Sequence, residues 1–307
     1  MEEIKKGVVS KGMVSCVITT RNRLPLLKRA VESVMQQTYS NIEIVVVDDG
    51  SDDGTKEWAE SQNFKYIHIP KGKGKGGNYA RNLGIKNSTG EFVAFLDDDD
   101  YWLPEKTELQ VALFTDPTVG VVFGKRIDEI IYEDGRIIKK NCDIDLSAKG
   151  DLSKYILQRI PTSTSLIMVR KSLLEEVDYF DEQLGFWQEY ELLIRLAQIT
   201  KFDYVNKSVT VYTINKGDSN RLTNKYYGWK NAVRYIHDKH KNLYSRLNWE
   251  ERLGAKGLEW GDAAIRCKNS GLKFKALSFK AICYPWRIFR LLRSGNMLKK
   301  IKERFLK

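Results

Sequence analysis

Two styles of hydrophobic patterning divide the 307-residue chain near position 124. Before it, short apolar runs take turns with segments of helical spacing. Val14 to Thr20, Ile42 to Val47 and Glu91 to Leu96 are apolar runs with little alternation, and Lys65 to Ile69 is a shorter one. Such runs predict strands buried on both faces. Leu24 to Gln37 places Leu27, Ala30, Val31, Val34 and Met35 at helical spacing. Thr55 to Gln62 and Tyr79 to Lys86 predict shorter helices, and Pro104 opens another. This alternation predicts an α/β fold, a parallel sheet covered by helices on both faces. In such sheets ligands bind beyond the carboxyl ends of the strands.

After Gly124 the pattern loosens. Ile127 to Tyr132 and Arg136 to Lys139 flank Glu133-Asp134-Gly135, which predicts a hairpin with an Asp-Gly turn. Ser165 to Val169, Asp203 to Val205 and Val209 to Thr213 predict short strands. Gln188 to Ile199 is a helix with Leu192, Leu193, Leu196 and Ile199 inward. From Tyr226 onward the pattern is mostly helical. The expected division is therefore 1–225, with halves 1–124 and 125–225, followed by a helical region 226–307.

Three polar clusters, Thr19-Thr20, Asp48-Asp49 and Asp97 to Asp100, fall at predicted strand ends. Asp97 to Asp100 follow the apolar run Phe92 to Leu96. Four adjacent carboxylates call for neutralisation once the dielectric falls, and a hard divalent cation supplies it. A solvated acidic loop is the competing reading. Asp48-Asp49 ends the second strand; Asp49 can accept a hydrogen bond from a nucleobase N–H or form part of a turn. Asp52 and Asp53 suit a helix cap. The segment fails the calcium-loop template, which needs Gly at its sixth position and Glu at its twelfth. Lys71 to Gly77 is a Lys/Gly loop able to approach an anion, without the phosphate-loop pattern. Glu189 sits in a first helical turn beside Phe186 and Trp187, a setting that can raise a carboxylate's pKa toward that of a general base. Glu191 and Arg195 have the spacing of an ordinary surface ion pair.

Composition narrows the classes. Hydrophobic content is 42% and charged content 30%, which fits a globular protein. Cys16, Cys142, Cys267 and Cys283 form no close pair, which argues against a zinc knuckle and suits a reducing compartment. Met1 to Met13 carry no apolar core of signal-peptide length. His237 and His240 lie one turn apart, with no third ligand suggested, and read as a solvated helix face. Net charge is +11, but residues 273–307 hold eleven basic residues and one acidic one, so the tail carries nearly all of it. That distribution argues against nucleic-acid binding. Phe274, Leu277, Ile282, Trp286, Phe289 and Leu292 interleave with the basic residues. A basic amphipathic segment of this kind suits an anionic membrane surface, or packing on the body or another subunit. Pro285 is expected to break or kink it.

Taken in order, the motifs resemble the family 2 glycosyltransferases. Val14-Ser15-Cys16-Val17-Ile18-Thr19-Thr20-Arg21-Asn22 is similar to that family's first strand and turn. Ser33 to Tyr39 is similar to its helix end, and Ile44 to Thr55 to its second strand and loop. Gly76 to Gly84 is similar to its third helix, Phe95 to Pro104 to its Asp-x-Asp segment, and Gln188 to Leu196 to its late acidic helix. The resemblance covers roughly residues 13–215. It implies the GT-A fold, a Rossmann-like, mostly parallel sheet flanked by helices, here with a helical C-terminal extension. It implies inverting transfer of a sugar from a nucleotide-diphosphate donor, with UDP expected, to a glycan or lipid-linked acceptor in polysaccharide synthesis.

Residue by residue, the resemblance implies that Asp49 meets the base while Thr19 and Arg21 line the base and ribose pocket. Asp98 is implied near the ribose, and Asp99 on Mn2+ or Mg2+ with Asp97 in support. Arg81 and the loop beginning at Lys71 are implied to offset phosphate charge. Glu189 falls at the catalytic base, although the family's usual pair there is Glu-Asp and this chain has Gln188-Glu189. The expected location is cytoplasmic, peripheral at the inner face of the cell membrane, with homo-oligomerisation open. A nucleotidyltransferase on the same fold and a catalytically silent membrane scaffold are the rival readings.

Overall fold

A computed structural model describes residues 12–218 and 221–293. The chain divides into two compact units. One draws on Met1–Ser153 and Pro161–Gly217, the other on Lys154–Ile160 and Asp218–Lys307.

The first unit begins with β1 (Val14–Thr20), α1 (Leu24–Met35), β2 (Ile42–Asp48), α2 (Thr55–Glu60), β3 (Lys65–His68), α3 (Gly77–Lys86) and β4 (Phe92–Asp97). It continues with β5 (Tyr101–Trp102), α4 (Lys106–Val111), β6 (Val119–Ile131), β7 (Ile137–Cys142), β8 (Met168–Arg170), α5 (Lys171–Glu176), α6 (Gln188–Leu196) and β9 (Lys201–Asn215). Among the described residues the strands form one sheet in the order β3–β2–β1–β4–β8–β6–β9–β5, with β7 paired to β6. β3, β2, β1 and β4 run parallel. β8 then joins β4 and β6 antiparallel, and β9 returns parallel to β6. The parallel expectation therefore describes the first half, and beyond β4 the sheet is mixed.

Burial accounts for this arrangement. Val14, Cys16 and Ile18 of β1 and Phe92, Ala94 and Leu96 of β4 pack with Leu27, Ala30, Val31 and Val34 of α1 in one core cluster. On the other face α3 lies close to the sheet at Gly84, where a Cβ would collide with Val17. Only glycine fits there, and the helix approaches by that margin. Met35 closes the apolar stripe of α1 yet is 56% exposed.

Several local expectations change. The strand expected at Ser165 to Val169 is a 3-10 turn, Thr164–Leu166, followed by the three residues of β8. The two strands expected at 203–205 and 209–213 are one strand, β9, whose register against β6 slips between Val205 and Ser208. Asn206 and Lys207 fill that bulge and are exposed. Gly54 occupies the N-cap of α2 at φ 86°, while Asp53 accepts from Thr55 N and from Leu24 N.

The second unit holds α7 (Tyr226–Lys239), α8 (Lys241–Ser245), α9 (Trp249–Asn269) and α10 (Lys273–Arg293). Asn248 and Glu251 form a reciprocal capping box at the start of α9. His237 does not face solvent alone: Nε2 lies 2.5 Å from Glu259 Oε1, and the ring stacks on Tyr244. α10 runs on through Pro285 without breaking. Ala276 and Cys283 are buried, and the Cys283 thiol reaches Gly257 O of α9. Phe274, Leu277 and Ile282, on the opposite face, are 89%, 61% and 49% exposed. Residues 294–307 of the basic tail, and the side chains of Tyr284 and of 286–293, lie outside the described residues.

Candidate active site

β1 pairs with β2 on one side and β4 on the other, so the chain reverses its direction of travel across the sheet at β1. The register sets Thr20 beside Asp48 and Thr19 beside Asp97. Thr19, Asp49 and the aspartate run thus meet at the carboxyl edge of neighbouring strands, where a crevice opens in doubly wound sheets.

Asp49 N donates to Thr20 O, which fixes the residue just past β2. Its carboxylate is buried, and Arg21 lies 3.9 Å from Oδ2. Burial raises the Asp49 pKa, against Arg21 and the Gly76 amide, which lower it. Oδ1 is buried with no hydrogen-bond partner. The Lys71–Gly77 loop passes over this oxygen at Gly74, where a Cβ would collide with Oδ1. An unpaired buried acceptor costs about 1–3 kcal/mol. Asp48 behaves differently: its carboxylate accepts from Ser51 and from the Tyr66 hydroxyl, so it braces the turn. Lys71 pairs with Asp52.

Asp97 to Asp100 have four different environments. Asp97 Oδ1 accepts from Arg81 at 2.6 Å, and 32% of the side chain remains accessible. Asp98 is buried, accepting from Thr20 Oγ1 at 2.8 Å and from Arg23 at 3.1 Å. Burial pushes its pKa up to about 6 despite Arg23. Asp98 thus ties the Thr20 and Arg23 side chains to the strand end. Asp99 keeps 37% of its side chain accessible, with Arg23 3.3 Å away and its carbonyl accepting from Arg29. Asp100 is fully buried between Ser165 Oγ and Thr213 N, and burial beside Asp99 and Asp97 raises its pKa well above the usual range.

Among the described residues no three His, Cys, Asp or Glu side chains form a preformed metal cage. The donor set still suits Mg2+ or Mn2+, which take one or two carboxylates and complete their shells with phosphate oxygens and water. Asp99 offers such an oxygen at the sheet edge, Asp97 keeps a similar share of its side chain accessible, and Asp98 and Asp100 are buried.

Arg81 is buried, and its guanidinium bonds Asp97 and Gln188 Oε1, the latter at 2.9 Å, so it ties the aspartate segment to the start of α6. Gln188 opens α6, and Glu189, half-buried, follows in the first turn. Trp187 precedes them in the left-handed region at φ 52° and packs edge-on against Tyr190. A non-glycine residue held there stores strain of about 1–3 kcal/mol, of the kind that gathers at functional sites. Glu191 is not a surface residue: it is fully buried, with Arg195 Nη2 2.7 Å away. The same guanidinium donates to Val177 O and Tyr179 O.

Arg23, Arg29 and Ser165 belong to the site and carry little sequence signal. Arg23 sits two residues after Arg21 in an Arg-Asn-Arg run, the one visible hint. Arg29 lies on α1 and reaches Asp99 O, Thr213 Oγ1 and Glu129. Ser165 accepts from Asp97 N and donates to Asp100.

Known proteins share this frame. A glycosyltransferase of Rickettsia felis, itself uncharacterized, is 30% identical over 237 residues, 75% of this chain but 38% of that protein. The chain thus spans under half the length of that relative. A GalNAc(5)-diNAcBac-PP-undecaprenol beta-1,3-glucosyltransferase of Campylobacter jejuni is 31% identical over 214 residues, covering 67% of this chain and 66% of that protein. The crystal structure of S. aureus TarS in complex with UDP shares the fold at a TM-score of 0.55 and 18% identity, over 90% of this chain and 91% of that one. Residues 15–177, more than half of the chain, match the model of glycosyl transferase family 2. With that match and the aspartate edge in register, this chain belongs to glycosyl transferase family 2.

Proposed function

We propose that the chain is an inverting glycosyltransferase. It moves a sugar from a UDP-linked donor to a hydroxyl of a glycan or lipid-linked saccharide, in cell-surface polysaccharide synthesis. Residues 1–124 bind the nucleotide and 125–225 shape the acceptor side.

The orphaned Oδ1 of Asp49 carries this reading. A buried carboxylate oxygen at a ligand-binding edge, under a loop that glycine alone leaves room for, is complementary to a ligand N–H. Uracil offers an imide N–H between two carbonyls, and adenine has no ring N–H on that edge. Thr19 and Arg21 flank the same pocket, and Lys71 places a cation at the mouth of the loop. The UDP complex of the TarS fold neighbour and the PP-undecaprenol in the Campylobacter relative's name support the donor and acceptor classes.

Glu189 accepts the proton of the acceptor hydroxyl. The acceptor oxygen forms its bond to the anomeric carbon as the bond to the diphosphate oxygen breaks, and the diphosphate leaves with the electron pair. A single displacement from the opposite face inverts the centre. Asp99, with Asp97 in support, would hold a divalent cation, which offsets the negative charge growing on the diphosphate. Arg23 keeps Asp98 and Asp99 from repelling one another in its absence.

α10 extends the reading to the membrane. No helix of the described residues is long and apolar enough to cross a bilayer. Yet α10 packs one face on α9 and leaves Phe274, Leu277 and Ile282 exposed, with the exposed Lys273 and Lys280 on the same helix. That surface suits peripheral contact with anionic lipid at the cytoplasmic leaflet.

The test pairs binding with transfer. UDP is expected to bind more tightly than ADP with Mn2+ or Mg2+ present. A screen of UDP-sugars is expected to show metal-dependent hydrolysis or transfer. Glu189→Gln should abolish transfer and leave UDP affinity within about threefold. Full transfer by that variant would remove Glu189 from the mechanism, and a sugar nucleotide as product would replace the activity with nucleotidyl transfer.

A further inference from the structure

α3 does more than cover the sheet. From its first six residues, three side chains reach the segment that leads into α6. Asn78 Nδ2 donates to Asp181 O at 2.7 Å and to Leu184 O at 3.1 Å. Asn82 Nδ2 donates to Phe180 O, and its Oδ1 accepts from Phe180 N at 2.9 Å. Between them, Arg81 forks. One arm meets Asp97 Oδ1 at 2.6 Å, the other Gln188 Oε1 at 2.9 Å. The guanidinium lies over the Phe180 ring, 5.7 Å from its centroid. At Gly77 a Cβ would come within 3.1 Å of the Arg81 Nη1, so a larger residue there would press on the fork.

We infer that Arg81 is a positioning residue that locks the aspartate segment Asp97–Asp99 to the helix start Gln188–Glu189, so that the metal-side carboxylate and the base keep one relative geometry. This rests on the role proposed for Glu189. The fork is specific to arginine. Its two N–H groups diverge in one plane, and lysine cannot span both partners at once. The segment from Asp178 to Trp187 needs such a lock, since Asp178, Tyr179 and Trp187 all sit at positive φ.

The same geometry accounts for glutamine at 188. Its Oε1 accepts from Arg81 while its Nε2 donates to Leu184 O at 3.2 Å. A carboxylate can do only the first and would face the Leu184 carbonyl with a second acceptor. It would also place a negative charge one residue from Glu189, which raises the base's pKa. Glutamine closes the fork without adding charge, because Asp97 already neutralises Arg81.

The experiment compares the full chain with Arg81→Lys and Gln188→Met. Hydrogen exchange of the peptides covering 97–100 and 186–191 is read first. Both are expected to exchange faster in Arg81→Lys, with β1 and β2 unchanged. Gln188→Met, which spares the Arg81–Asp97 pair, is expected to speed exchange at 186–191 alone. In transfer assays both variants are expected to lose about 10–100-fold in kcat, the scale of a misplacement near 1 Å, with the Kd for UDP within about threefold. Unchanged exchange at 186–191 in both variants would overturn the lock. A loss of UDP affinity parallel to the loss of kcat would return Arg81 to donor binding. If the wild type transfers no sugar, the proposed function fails, and the exchange data still decide whether Arg81 couples the two segments.

Discussion

Replacing Asp98 by asparagine should stabilise the ligand-free protein at pH 8 and cost it donor binding. Asp98 is buried at the sheet edge, and its pKa rises from 3.8 to about 6, chiefly through burial. A rise of that size means that the ionised form costs the fold about 3 kcal/mol relative to the unfolded chain. The direction follows from linkage. A carboxyl whose pKa is higher in the fold binds its proton more tightly there, so folding is favoured at low pH. That advantage drains away from about pH 4 and is gone by about pH 7. Asparagine mimics the protonated acid and stays neutral throughout. It cannot accept from both Thr20 and Arg23, and the lost hydrogen bond costs about 1 kcal/mol. The balance at pH 8 is about 2 kcal/mol in favour of the variant, and it shrinks and reverses toward pH 4. Guanidinium melts of ligand-free protein at pH 4.5 and pH 8, with chelator present, measure the gap. A variant less stable than the wild type at pH 8, or a gap independent of pH, would mean that the ionised Asp98 carboxylate does not burden the fold. Added Mn2+ and UDP should bring the wild type level with or above the variant, since a cation at Asp99 relieves the charge that Asp98 suffers.

Three further outcomes follow from neighbouring features. Gly74→Ala should weaken UDP binding at least about tenfold by calorimetry, because its Cβ collides with Asp49 Oδ1, while the melting temperature moves little. Glu191→Ala should destabilise the first unit by about 3–5 kcal/mol in urea melts, because it leaves Arg195 buried beside one fewer carboxylate. Phe274→Asp with Leu277→Asp should abolish flotation with phosphatidylglycerol vesicles and leave the circular dichroism of the chain unchanged, since both side chains point away from α9; equal flotation would remove α10 from membrane contact.

The first half of the sheet was legible because its signals are local. Unbroken apolar runs mean strands buried on both faces, and a polar cluster at the end of each lands at one edge once the strands lie parallel. The clusters Asp48-Asp49 and Asp97 to Asp100 could be placed at the edge on that ground, and only the family resemblance picked Asp49 and Asp99 out of them. The remainder depended on partners far away in sequence. Glu191 and Arg195 have the same i,i+4 spacing on a surface as in a core, and only the carbonyls of Val177 and Tyr179 reveal which this is. Arg29 is one of several polar residues on an amphipathic helix until Asp99 O and Thr213 come within reach of it. β9 looked like two strands because Asn206 and Lys207 interrupt its apolar pattern, and a bulge absorbs them without ending the strand. Residues 154–160 leave the first unit for the second, and no change in composition marks that excursion.

The aspartate run also bears on how such a site can change. Asp97 answers to α3, Asp98 to the loop after β1, and Asp100 to the 3-10 turn and β9, while α1 grips the backbone at Asp99. These supports lie in different parts of the chain, and two of them are shared: Arg23 reaches Asp98 and Asp99, and Ser165 reaches Asp97 N and Asp100. Among the aspartates, a substitution at Arg81 reaches Asp97 alone, whereas one at Arg23 or Ser165 reaches a pair. The charge, reach or orientation at this edge can thus be retuned in small steps, without dismantling the strand end that presents all four.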